Sequence, residues 1–155
     1  MNDVKEEYLK LKNIKNGVIL FINNDNILFV RDIISKEWML PGGHIEKTDE
    51  SYYSGALREF SEETSYSIEP NKNRSIKSYI YNNKESLTST IIFIIHSNQK
   101  LPKFNIYKTN GETDKVIYIP ISLLKNHIYD SKNIGIIIKS YNINSFKELF
   151  NDNII

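Results

Sequence analysis

Glu59, Glu62 and Glu63 stand at spacing i, i+3, i+4 within Arg58-Glu59-Phe60-Ser61-Glu62-Glu63. On a helix that spacing puts all three carboxylates on one face, where like charges repel and cost stability. A hard divalent cation takes oxygen ligands and would offset the repulsion. The competing reading is a solvated acidic helix face, the usual fate of a charge run. The turn Leu40-Pro41-Gly42-Gly43 favours the cation. It precedes the acids by a few residues and can bring a backbone carbonyl beside them. One carbonyl and three carboxylates form an oxygen-rich half-shell with positions left open to water and phosphate oxygens.

A helix from about Asp49 to Ser65 would carry the acids. Thr48 or Asp49 suits the N-cap, and acidic residues 49 and 50 suit the positive end of the helix dipole. Tyr53, Ala56, Leu57, Phe60 and Thr64 repeat at helical spacing and define a core-facing stripe beside the acid arc. Gly55 lies on that arc. A mid-helix glycine costs roughly 1 kcal/mol against alanine, so the bare backbone there is either room for a loop or a ligand or, equally, a tolerated defect. Arg58 can pair with Glu62 at i+4 and reach back toward Glu50.

The stretch from Trp38 to Tyr66 resembles the Nudix box, G-x5-E-x7-R-E-U-x-E-E-x-G-U with U a bulky apolar residue. Gly43 matches the first glycine, Glu50 the first glutamate, and Arg58-Glu59-Phe60-x-Glu62-Glu63 the core. The lead-in Trp38-x-Leu40-Pro41-Gly42-Gly43 is also similar to the family's. There are two departures. Gly43 to Glu50 has one residue more than the motif, which reads as a lengthened loop over His44 to Asp49 and makes Asp49 a competitor for the role of Glu50. Ser65-Tyr66 stands where the family has Gly-U, at a position suited to a left-handed helix C-cap.

The resemblance implies an α/β fold, the Nudix α/β/α sandwich with a mixed central sheet, as one domain over residues 1–155. It implies metal-dependent hydrolysis of a nucleoside diphosphate linked to another moiety. Mg²⁺, or Mn²⁺, would be held by Glu59, Glu62 and Glu63, with the backbone oxygen of Gly42 completing the shell. Arg58 would orient a glutamate, Glu50 would orient Arg58, and one of Glu59, Glu62 or Glu63 would serve as base. Beyond the box, Nudix enzymes often carry an acidic residue in a loop followed by an aromatic, a proline and a short helix. Gly111-Glu112-Thr113-Asp114 fits, so Glu112 or Asp114 is a further candidate ligand or base, against a plain polar loop. His44, His96 and His127 have no ligand spacing.

The rest of the 155-residue chain sets bounds. A net charge of +1, from 20 basic and 19 acidic residues, demands neither nucleic acid nor an anionic membrane. Absence of cysteine rules out disulfides, thiolate metal sites and a cysteine nucleophile. The charged start MNDVKEEYLKLKN lacks a signal-peptide core, and no apolar run reaches membrane-span length. The expectation is a soluble cytoplasmic protein, monomeric or homodimeric.

Gly17–Ile22 and Ile27–Arg31 read as a hairpin around Asn23-Asn24-Asp25-Asn26. Ile76–Tyr81, Thr88–His96 and Lys115–Ile119 read as further strands, with polar or loose stretches at Pro70–Arg74 and Gln99–Gly111. Pro120 opens a short helix over Ile121–Lys125. Ile134, Ile137, Ile138 and Tyr141 slightly favour a helix, although their β-branched content allows a strand, and Asn144 or Ser145 caps a last helix over Phe146–Phe150.

A small nucleotide, such as a nucleoside triphosphate or nucleotide sugar, is the favoured substrate. Dinucleoside polyphosphates, capped RNA ends and a catalytically silent nucleotide-binding module are the alternatives.

Overall fold

The computed structural model describes residues 14–68, 76–84, 86–98 and 111–155. The N-terminal segment, the polar break at 70–74 and most of the Gln99–Gly111 stretch lie outside them. The expected hairpin is β1 (Ile14–Asn23) and β2 (Asn26–Asp32). Asn24 and Asp25 turn it with φ of 49° and 63°, left-handed angles that Asn and Asp tolerate better than other side chains. The two strands pair only next to the turn, at Ile22↔Ile27 and Asn23↔Asn26, and then part. β2 also pairs with β3 (Trp38–Met39). β1 meets β4 (Gly42–His44), antiparallel, at its start. β5 (Ile76–Asn83) and β6 (Thr88–Ser97) form a second hairpin. β6 runs parallel to β1, and β7 (Thr113–Pro120) runs antiparallel to β2 along its whole length. The result is one mixed seven-stranded sheet.

Alternation along the strands sends side chains to two cores. Val18, Leu20, Ile22, Ile27, Phe29, Ile92 and Ile94 face one side. Ile19, Phe21, Leu28, Val30, Ile91, Phe93 and Ile95 face the other. Both faces of β1 are therefore covered, which is why it reads as an unbroken apolar run. Helix α1 (Tyr52–Thr64) lays Ala56 and Phe60 on the second side. α2 (Ile121–His127) and α3 (Ser140–Asn151) cover the first with Leu124, Phe146 and Leu149. This is the α/β/α sandwich. No helix among the described residues is long and apolar enough to cross a membrane.

The isoleucine-rich segment before α3 departs from expectation. Ser131–Ile134 forms a 3-10 turn, Gly135 breaks it with a φ of 82°, and Ile138 bridges in parallel to Trp38. The left-handed glycine stops any helix, and the β-branched residues that follow pack extended against β3. The last helix starts earlier than expected, at Ser140. Ser145 is buried inside it, donating to the Asn142 carbonyl at 2.9 Å, and caps nothing.

Candidate active site

The acid-bearing helix starts later than the sequence suggested. Ser51, not Thr48 or Asp49, is its N-cap: the Ser51 hydroxyl accepts from the Ser54 N–H at 3.0 Å, and the Ser54 hydroxyl accepts from the Ser51 N–H at 2.9 Å. This reciprocal capping box satisfies two orphan donors. At the other end Ser65 adopts the left-handed conformation, φ 62°, and its N–H meets the Ser61 carbonyl at 2.9 Å. Serine thus takes the conformation expected of the missing glycine, at a cost on the order of 1 kcal/mol. Gly55 makes room for a loop: a Cβ there would lie 2.7 Å from Asp49 Oδ2.

Glu63 is the deepest acid, 1% exposed. Its Oε1 accepts from the Gly42 N–H at 3.0 Å, while its Oε2 is buried with no hydrogen-bond partner. Burial pushes its carboxyl up to about 9; the Gly42 amide works against that, and the charges of Glu59, Glu112 and Glu62 add to it. Thr113 at the start of β7 donates its hydroxyl to the Glu63 carbonyl at 2.9 Å. Glu59 packs on the glycine turn, so closely that a Cβ on Gly43 would lie 2.8 Å from its carboxyl carbon. Burial raises its pKa, with Arg58 opposing. Gly42 is required for a different reason: a Cβ there would meet the backbone of β1, 2.6 Å from Val18 Cα.

Arg58 gathers the remaining charges. Its Nε donates to Asp49 Oδ1 at 3.0 Å and its Nη2 to Asp49 Oδ2 at 3.1 Å. Its Nη1 donates to Glu59 Oε1 at 3.1 Å and Glu62 Oε1 at 3.2 Å. Its Nη2 also reaches the His44 carbonyl at 3.3 Å. Asp49, held low by Arg58, occupies the place expected for Glu50, which is exposed and has no ion pair among the described residues. The extra residue therefore falls after Asp49, at the helix start. The interval from Gly43 to Asp49 matches the motif's G-x5-E and was the signal for this placement.

Two further expectations are refined. The Gly42 group seen to meet an acid is its amide, not its carbonyl. Of the two acids at the start of β7, Asp114, within the strand, is committed elsewhere: Arg31 grips it with two bonds, 2.8 and 2.6 Å, and Lys36 adds a third at 3.1 Å. Glu112 is exposed, and its charge raises both Glu59 and Glu63. No three acidic or histidine side chains among the described residues converge as a ready-made metal cluster; Arg58 stands between Glu59 and Glu62, and Glu63 turns to Gly42. Of the histidines, His44 alone borders this region.

Sequence reasoning missed a cleft of about 270 Å³ beside the glycine turn, whose lining includes Asn16, Gly43, His44, Tyr81, Asn83 and Tyr141. Tyr141 entered the sequence reading only through the helical spacing of residues 134–141. Its ionisation is opposed by burial first and then by the charges of Glu63 and Asp32.

The family model for the NUDIX domain matches residues 14–136. The chain belongs to the Nudix family. Its class of reaction is the hydrolysis of phosphoric anhydride bonds. No curated protein matches the sequence. Among solved structures, a bifunctional NMN adenylyltransferase/ADP ribose pyrophosphatase from Francisella tularensis is 22% identical with a TM-score of 0.61; the alignment covers 96% of this chain but only 45% of that one. A NUDIX hydrolase from Nitrosomonas europaea, 16% identical, gives 0.59 with 90% of each chain covered. A C. elegans Ap4A hydrolase, 14% identical, gives 0.55 and covers 89% of this chain and 99% of that one. At these identities the likeness is one of Nudix fold.

Within the Nudix box, Asp49 and Glu50 make an informative pair. Asp49→Asn is expected to lower kcat/KM about 10–100-fold, the usual cost of losing a group that orients a ligand, while Glu50→Gln stays within about threefold of the parent. Steady-state kinetics of both variants decide it; the reverse ranking would restore Glu50 to the role.

Proposed function

We propose that the chain hydrolyses the diphosphate of a small nucleotide, a nucleoside diphosphate linked to another moiety, with Mg²⁺ or Mn²⁺ held by Glu59, Glu62 and Glu63. Glu112 and the Gly42 backbone oxygen complete the donor set. The observation that carries this reading is the orphaned Oε2 of Glu63. A buried carboxylate oxygen without a partner costs roughly 1–3 kcal/mol, and a cation on the acid face would relieve it. The donor set is all oxygen, as a hard cation prefers. Asp49, Glu59 and Glu62 share the single guanidinium of Arg58, with Glu112 adding to the field. A polyanionic substrate would be repelled from such a face unless further positive charge came with it. When bound, a divalent cation neutralises diphosphate oxygens and acidifies water.

The residues then divide the work. Glu59, packed on Gly43, and Glu62, the most exposed of the three, present carboxylates to cation and solvent. Glu63 must give up its proton to join them. Arg58, fixed by Asp49, aims the carboxylates of Glu59 and Glu62. The general base is one of the carboxylates facing solvent water. Related structures support the nucleotide: the Francisella tularensis enzyme was solved with AMP and a Mn ion, and the NUDIX domain of Shewanella oneidensis NrtR with ADP ribose.

Exhaustive chelation is expected to abolish turnover, and added Mg²⁺ or Mn²⁺ to restore it. A phosphate-release screen over nucleoside triphosphates, nucleotide sugars, dinucleoside polyphosphates and capped RNA, run before and after chelation, is the test. Full turnover after metal removal overturns the mechanism; nucleotide binding without turnover on any class would make this a binding module.

A further inference from the structure

Strand β7 begins with an irregularity. Its register against β2 runs Val30↔Val116 and Arg31↔Lys115, then jumps to Asp32↔Thr113. Asp114 is thus the extra residue of a β-bulge, a device that re-aims the side chains beside it. Strict alternation would place Thr113 on the face of Ile117 and Ile119, which pack in the first core, away from α1. Instead Thr113 is turned to α1, where its hydroxyl meets the Glu63 carbonyl at 2.9 Å. One residue earlier, the Glu112 carbonyl accepts the Ile33 N–H at 2.9 Å. Glu112, whose charge bears on both Glu59 and Glu63, is thereby fastened at the edge of the acid face.

Charge holds the bulge. Asp114 accepts from Arg31 Nε at 2.8 Å and Nη2 at 2.6 Å, a two-bond fork, and from Lys36 Nζ at 3.1 Å. Both cations are themselves placed by their surroundings. Arg31 Cζ lies 6.0 Å from the centre of the Trp38 ring. Lys36, in the turn between β2 and β3, adopts a left-handed φ of 62°, a conformation that costs a lysine energy. Its own N–H meets the Asp32 carbonyl at 2.9 Å. Strain of this kind persists where the surroundings over-determine it, and it clusters at functional sites. A strand and a turn thus converge on the one residue that a regular β7 would not contain.

We propose that Asp114, clamped by Arg31 and Lys36, is a positioning residue for hydrolysis: by pinning the bulge it fixes where the Glu112 carboxylate stands relative to Glu59 and Glu63. The inference rests on the hydrolase reading above, in which Glu112 joins the donor set. For stability alone, a partly exposed ion pair contributes little. A bidentate fork adds direction to charge, and direction is what an oxygen donor beside a cation requires. Asp114 touches neither substrate nor cation; it acts through the backbone that carries Glu112. Loss of such a supporting group costs about 10–100-fold in affinity or activity.

The test is a double-mutant cycle on the full chain: Asp114→Asn, Glu112→Gln and the two combined. It is read by Mn²⁺ titration followed by electron paramagnetic resonance, by kcat and KM of metal-dependent nucleotide hydrolysis, and by thermal melts. In the parent, Asp114→Asn is expected to weaken Mn²⁺ binding and lower kcat by about tenfold, with KM within about twofold. In the Glu112→Gln background the same change is expected to cost less than about twofold, because the group it positions is gone. A clamp that merely stabilised the fold would impose the same factor in both backgrounds; that result overturns the inference, as does a Glu112→Gln variant that binds Mn²⁺ and turns over like the parent. Arg31→Lys keeps the charge without the fork, and is expected to show at least about threefold of the same loss. A parent that binds Mn²⁺ but hydrolyses no nucleotide sinks the hydrolase reading, while the binding cycle still decides the role of Asp114. A parent that binds no Mn²⁺ overturns both.

Discussion

Glu63→Gln is expected to raise the melting temperature of the metal-free protein at pH 8 while removing nearly all turnover. The sign follows from burial. The folded carboxyl titrates near 9, against an ordinary value of 4.5. Between those two values the native state holds a proton that the unfolded chain has released, so stability falls as pH rises across the window. The ceiling on that slope is about 1.4 kcal/mol per pH unit. Glutamine keeps the shape and still accepts the Gly42 N–H, but has no charge to expose. The variant and the parent should therefore melt alike near pH 5 and diverge by about 2 kcal/mol or more at pH 8. Thermal melts in chelator at pH 5, 7 and 8.5 measure this; a gap that fails to widen with pH would mean Glu63 is charged in the metal-free fold. On the proposed mechanism turnover falls by about 1,000-fold or more in kcat, because Glu63 would be a cation ligand worth several kcal/mol.

Arg58→Ala should be nearly as damaging to catalysis, by about 100-fold in kcat/KM, for a geometric reason. One planar group reaches Asp49 through Nε and Nη2, and Glu59 and Glu62 through Nη1. Lysine can supply the charge but not the fork. Arg58→Lys is therefore expected to remain at least about tenfold impaired while melting near the parent. Full recovery of rate with lysine would show that only the charge matters and that orientation of the carboxylates is set elsewhere.

Where a periodic signal was strong, it could be read directly. The stripe Ala56-Phe60 marked the buried face of α1, and the Asn-Asp turn marked the first hairpin, because each rests on local rules of helix spacing and left-handed conformation. One local reading failed because tertiary contacts outranked it. The spacing Ile134, Ile137, Ile138, Tyr141 imitates a helix, but a left-handed Gly135 and a bridge to Trp38, a hundred residues earlier in the chain, decide otherwise. The choice between Asp49 and Glu50 could not be made from intervals alone, since one inserted residue satisfies one half of the motif or the other. The helix cap favours Asp49: with Ser51 as N-cap, Asp49 lies in the loop that folds back over Gly55 onto Arg58. Tyr141 carried no signal of its own, because lining a cleft depends on what lies across it.

The bond from Leu40 to Asn142 has a consequence for how the protein is made. The glycine turn is supported from one side by β1 and from the other by a residue about a hundred positions later in the chain. The central parallel pair, β1 and β6, joins segments more than sixty residues apart, and such non-local pairing forms slowly. During synthesis the acids of α1 emerge long before Asn142. Until that residue has left the ribosome, the nascent chain has glutamates but no complete seat for them, so the cation affinity proposed above should appear only after Asn142 has docked on Leu40.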